Sequence, residues 1–141
     1  MNRVRKFLAL HSDDRWLLAN AFLVLAAMRL RLALLPFRAG AGCPRSRTCR
    51  KHPTPDRIAW AVDVAGSCLG NPTCLARALA GHRMLARRGF SSRVSIGVAA
   101  GAKTPHGGSL IAHAWLEIGG RILLGGPDVG QYTPLLTWGN S

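Results

Sequence analysis

Residues 110–128, LIAHAWLEIGGRILLGGPD, hold two apolar runs on either side of Gly119-Gly120. A Gly-Gly pair supplies two residues that tolerate positive φ, the requirement of a two-residue hairpin turn. The stretch therefore predicts two antiparallel strands with Ile118 facing Arg121. In an uninterrupted ladder His113 then faces Gly126. Side chains alternate across a strand, so His113, Trp115 and Glu117 share one face, as do Ile122, Leu124, Gly126 and Asp128 on the partner. Asp128 becomes the diagonal neighbour of His113, roughly 7 to 8 Å away between backbones and within reach of a carboxylate–imidazole hydrogen bond. Glu117 lies four residues along the same strand at ~3.3 Å per residue, too far to orient that ring.

Upstream the period is helical. In NPTCLARALAGHRMLARRGF, residues 71–90, Thr73 reads as a cap, and the helix it opens begins at Cys74 and ends at Gly89. A helix start carries partial positive charge and unpaired N–H groups, which favour a thiolate over a thiol. Before it, Thr54-Pro55-Asp56 combines a cap, a proline at the first position and an acid, predicting a helix over 55–67 with Ile58, Ala61, Val62 and Ala65 inward. After it, SRVSIGVA places Val94, Ile96 and Val98 on one face of a half-buried strand, and KTPHGGS, residues 103–109, reads as a loop. Helix, helix, strand and hairpin in that order define an α+β core rather than a βαβ unit.

The domain reading is a compact core over 54–141 preceded by a helical appendage and basic linker over 1–53. Ser12-Asp13-Asp14 starts a helix that runs to about Leu34, where Pro36 interrupts it. Residues 38–53 are rich in Gly, Pro and Arg without periodicity, which suits an exposed linker. The chain carries 19 Lys and Arg against 6 Asp and Glu, and residues 1–60 hold 12 of the former and 3 of the latter. Such a balance suits an anionic partner. Nucleic acid is not expected, because the basic residues lack aromatic interleaving and no recognition helix or zinc finger is present. The apolar run from Trp16 ends at Met28, short of a membrane span, and Asp13 and Asp14 spoil a signal peptide. A helix docked on a domain or partner is the expectation. A membrane-surface helix stays open, since Arg29, Arg31 and Arg38 flank apolar residues.

Cys43, Cys49, Cys68 and Cys74 form two C-x5-C pairs, which fit neither zinc-ligand spacing nor a C-x-x-C redox motif. No metal and no cofactor are expected, and reduced thiols in a cytoplasm are the default. Cys74 at a helix start, His113 on a strand and Asp128 beside it are the three parts of an activated thiol nucleophile: attacker, proton carrier and orienting acid. His82 lies eight residues beyond Cys74, ~12 Å along the helix axis, too far to serve as its base. His106 falls in a Gly-rich loop and His52 in the linker. Cys68 is the competing thiol, without a helix start. Trp60 and Trp115 read as core or groove lining.

The blocks PDRIAWAV, NPTCLARALAGHRMLARRGF, AHAWLEIGGRILLGGPD and YTPL together resemble the leader peptidase, or B protein, of lasso peptide biosynthesis. That family belongs to the transglutaminase-like branch of the papain-like cysteine peptidases. The apolar N-terminal helix resembles its helical lead-in. The resemblance implies a papain/transglutaminase-like core, the nucleophile helix packed on a small antiparallel sheet, with Cys74, His113 and Asp128 in the catalytic places. Family members cut the leader, commonly bearing a penultimate threonine, from a ribosomally made precursor. An asparagine synthetase-like cyclase then closes the freed amine onto an acidic side chain. Residues before 54 leave no room for the winged-helix leader-recognition domain that some members carry, so a separate recognition protein is implied, with the N-terminal helix as a candidate dock. A papain-like enzyme commonly adds an upstream glutamine to its oxyanion hole, whereas the only glutamine here is Gln131. The Cys74 N–H supplies one donor. Two other functions use overlapping features: acyl transfer to an amine by the same three residues, and nucleic-acid binding by the basic surface.

Overall fold

Two of the three described helices start at the threonine caps that the sequence places, Thr54 and Thr73, and the second of them ends at Ala86, three residues before Gly89. The computed structural model describes residues 9–36, 53–70, 72–104 and 107–139, the side chains of 100–109 excepted. The basic linker, Cys43, Cys49, His52, Asn71 and His106 lie outside the described residues. Helix α1 spans Ser12–Leu34, α2 Pro55–Cys68 and α3 Cys74–Ala86. At α2 the Thr54 hydroxyl accepts from the Arg57 N–H at 3.4 Å, with Pro55 behind it, as the sequence predicted. The cap of α1 is His11 rather than Ser12 and makes no side-chain bond. Asp13 and Asp14 remain in its first turn, where negative charge favours the helix dipole.

A four-stranded antiparallel sheet follows: β1 (Arg93–Thr104), β2 (Gly107–Ile118), β3 (Arg121–Leu124) and β4 (Thr133–Gly139), in the order β3-β2-β1-β4. The architecture is α+β, three helices against one sheet. Two elements differ from the sequence expectation. The stretch 103–109 is not an open loop, because Thr104 pairs with Gly107 and Lys103 with Gly108, so the β1–β2 ladder continues nearly to the turn. Strand β4 has no clear sequence signature: it carries Pro134 and no inward alternation, and it forms because the edge of β1 is free to pair with it.

The core joins both layers. Leu25, Ile58, Val62, Met84 and Leu85 from the helices meet Val94 and Leu116 from the sheet, all nearly inaccessible. Each fully buried large side chain contributes about 2 kcal/mol. Helix α1 belongs to this core through Leu17, Leu18, Ala21, Val24, Leu25 and Met28, so burial runs across residue 54 even though composition changes there. Helix α3 approaches the sheet at Gly81, where a Cβ would stand 2.7 Å from methyl groups of both Leu116 and Leu124. Only a residue without a side chain lets the two layers meet that closely.

The hairpin turns where the sequence places it, with φ of 54° at Gly119 and 80° at Gly120. Ile118 faces Arg121 and Glu117 faces Ile122. One step further the register shifts, and Leu116 faces Leu124, so Leu123 is the extra residue of a β-bulge. The uninterrupted ladder that set Gly126 opposite His113 is therefore corrected. Strand β3 ends at Leu124, Gly125 and Gly126 take φ of 118° and 80°, and the chain leaves the sheet into a short 3-10 turn over Pro127–Gln131.

Candidate active site

Cys74 opens α3. The Thr73 hydroxyl caps the helix by accepting from the Ala76 N–H at 3.3 Å. The Cys74 amide lies in the first turn, where helical N–H groups have no acceptor within the helix. Its side chain is half-buried. Three residues on, Arg77 shares this face of the helix. Its guanidinium pairs with the Asp63 carboxylate of α2.

Cys74, Arg77 and Asp63 line one side of a cavity of about 450 Å³, and His113, Leu123, Leu124, Gly125 and Gly126 line the other. The thiol and the imidazole-bearing residue thus reach one groove from the helical layer and from the sheet. Among the described residues no hydrogen bond joins the Cys74 Sγ to the His113 ring. Such contacts are often long in a site without substrate.

The imidazole is held by a main-chain carbonyl. His113 Nε2 lies 2.6 Å from the Gly125 carbonyl oxygen. A carbonyl only accepts, so Nε2 carries the proton and the lone pair sits on Nδ1. One main-chain contact therefore fixes both the tautomer and the ring's orientation. Tyr132 lies against the imidazole at 5.0 Å between ring centroids, and Trp115 at 6.5 Å on the same face of β2. A Cβ at Gly125 would stand 2.5 Å from the Trp115 Cβ, so glycine is the residue that brings this carbonyl in.

Asp128 does not take the diagonal place that the unbroken ladder gave it. It lies on the exposed face of the 3-10 turn, outside the cavity lining, and makes no hydrogen bond to His113. The bulge at Leu123 and the turn at Gly125-Gly126 carry it off the strand. Glu117 pairs with Arg93 at 3.7 Å and stays away from the ring, as strand geometry requires.

The other titratable candidates have separate places. His82 is buried in α3, with Nδ1 at 2.8 Å from the Ser92 hydroxyl, and desolvation lowers its pKa. Cys68 is exposed at the end of α2 and lies outside the cavity lining. Sequence reasoning missed Arg77, Asp63 and Tyr132. The three-residue spacing from Cys74 carries a signal for Arg77. The Gly125 carbonyl has none, because every residue has one.

The chain matches the family model of the transglutaminase-like superfamily over residues 17–137, from within α1 into β4. It belongs to that superfamily, which includes cysteine peptidases and acyltransferases. Neither a curated protein nor a solved structure matches it.

Proposed function

We propose that this chain is a cysteine peptidase that removes the leader from a lasso peptide precursor, with Cys74 as nucleophile and His113 as its proton carrier. The observation that carries the peptidase reading is the shared cavity, which holds a thiol at a helix start and a histidine whose Nδ1 lone pair is left free. The lasso substrate rests on the sequence blocks around Cys74 and His113.

In this mechanism the Sγ proton passes to Nδ1, and the thiolate attacks the scissile carbonyl carbon. Negative charge gathers on the carbonyl oxygen, where the Cys74 N–H is one donor. The C–N bond breaks as the imidazolium returns its proton to the leaving amine. Water, deprotonated by the same nitrogen, then hydrolyses the thioester and restores the thiol. The Gly125 carbonyl accepts from Nε2 throughout and steadies the cationic ring. Asp128 was expected in that place, and the geometry of the ring favours the carbonyl. The reading includes a separate winged-helix recognition protein that delivers the leader, a cyclase resembling asparagine synthetase that takes up the product, and a cytoplasmic location where precursors are made.

The test is mass spectrometry of a precursor incubated with the chain and its recognition protein. Leader and core should appear as separate peptides, and Cys74→Ala should abolish both products while the circular dichroism spectrum is unchanged. Cleavage that persists in Cys74→Ala overturns the assignment. An amide formed with added amine, in place of a free carboxylate, makes the chain an acyltransferase instead.

A further inference from the structure

Helix α1 has two apolar faces and the fold uses one. Leu17, Leu18, Ala21, Val24, Leu25 and Met28 are buried. Away from them Trp16, Leu23, Leu30 and Leu34 stand 64, 69, 60 and 72% exposed. The first three are spaced by seven, two helical turns, and Leu34 continues the line, which makes a stripe about 27 Å long at 1.5 Å per residue. Single exposed leucines are ordinary, whereas a continuous stripe marks a surface that something covers.

Charge says what covers it. The chain has six acidic residues, and four of them, Asp14, Asp56, Asp63 and Glu117, are already in ion pairs. Residues 1–8 hold three cations and residues 37–52 hold five, with no acid in either, so α1 is bracketed in sequence by positive charge. The Arg88 guanidinium lies 5.9 Å from the Trp16 ring at the head of the stripe. A second copy of the chain would bring the same excess, a formal +13, against itself. A convex stripe on one helix has no groove for a partner's knob, and a fluid surface needs none.

We propose that α1 lies in the interface of an anionic lipid bilayer, with the Trp16–Leu34 stripe among the acyl chains. The apolar run expected to end at Met28, short of a membrane span, continues past Arg29 and Arg31, and the whole helix Ser12–Leu34 is long and apolar enough to cross a bilayer, with a mean hydropathy of 1.8. It lies on the surface instead, because crossing would strip Ala21 and Leu25, both 0% exposed, from α2 and α3. This inference does not depend on the peptidase reading.

The test is co-sedimentation of the full chain with vesicles of phosphatidylglycerol and phosphatidylcholine, and with phosphatidylcholine alone. Binding should be at least tenfold stronger to the anionic vesicles and should fall at least tenfold in Leu23→Glu/Leu30→Glu, whose altered side chains are exposed in the fold. Tryptophan emission of the unaltered chain should move to the blue on these vesicles, and Trp16→Phe should remove most of that change. Failure to bind anionic vesicles overturns the proposal, as does binding that the double substitution leaves intact, which would be attraction by charge alone. A lipid-free dimer that the same substitutions dissociate assigns the stripe to a second copy and also overturns it.

Discussion

Asp128→Asn separates two ways of holding the His113 imidazole. If the Gly125 carbonyl orients His113, the substitution alters an exposed side chain on the 3-10 turn that bonds nothing at the ring. Surface changes of that kind shift stability by no more than about 0.5 kcal/mol, and a side chain that touches neither the ring nor the cavity should leave leader cleavage within a factor of about 2, or about 0.4 kcal/mol in barrier. If Asp128 were the orienting acid, the amide would hold the ring poorly and fail to stabilise the imidazolium, and comparable sites then lose about 10⁴ in rate, or about 5.5 kcal/mol. The gap of about 5 kcal/mol exceeds any plausible error in either figure. Gly125→Ala is the opposing perturbation. With φ at 118° and Trp115 in the way, the added methyl must shift the carbonyl. A displacement of about 1 Å costs on the order of 10² in rate. The assay is kcat/KM for leader release with recognition protein in excess, beside the pH profile of Cys74 alkylation by iodoacetamide, which reads the thiol–imidazole pair without a substrate. A loss of 10³ or more in Asp128→Asn, at unchanged Tm, would refute the carbonyl as orienter.

Other outcomes follow from burial and spacing. Cys68→Ala should leave cleavage intact, since that thiol is exposed and outside the cavity; loss of activity would mean the wrong nucleophile has been chosen. His82 has its pKa lowered from 6.5 by desolvation, so the unfolded chain binds the proton more readily. Its contribution to stability is full above about pH 6.5 and is lost as pH falls below that value. Thermal melts near pH 7.5 and pH 5.5 should show this drop, and His82→Gln should flatten it. Gly81→Ala sets overpacking of about 1–3 kcal/mol against a helix-propensity gain of about 1 kcal/mol, because Leu116 and Leu124 are too buried to move aside. A lowered Tm is expected, and a raised one would mean the layers are looser than they look.

The helical half of the fold was legible because its signals are local. Thr54-Pro55 and Thr73 are caps whose bonds reach three residues, and the inward faces of α2 and α3 repeat at the helical period. Gly119-Gly120 announced its turn for the same reason. The bulge was illegible. Beyond Arg121 the strand reads ILL, apolar at every position, so no polar residue marks which one falls out of register, and the bulge sets Leu124 against Gly81. Strand β4 was hidden likewise, since an edge strand with little buried face has no alternation to display. At the site, Cys74 and His113 stood out through their side-chain chemistry. Their settings, Arg77 with Asp63 and a main-chain carbonyl, depend on contacts between elements that no local pattern encodes.

Strand β4 has a consequence in time. It pairs with β1 at long range, Ile96 against Leu136, whereas β1, β2 and β3 form a meander between neighbours in sequence. Tyr132 stands immediately before β4, and its ring rests on His113. A nascent chain therefore holds Cys74 and His113 well before it has Tyr132 in place, and the imidazole gains that cover only after β4 has zipped onto β1. Completion of the site is tied to a long-range pairing, Ile96 with Leu136, rather than to a hairpin between neighbours. A chain in which β4 has not yet paired holds Cys74 and His113 without the Tyr132 ring beside the imidazole.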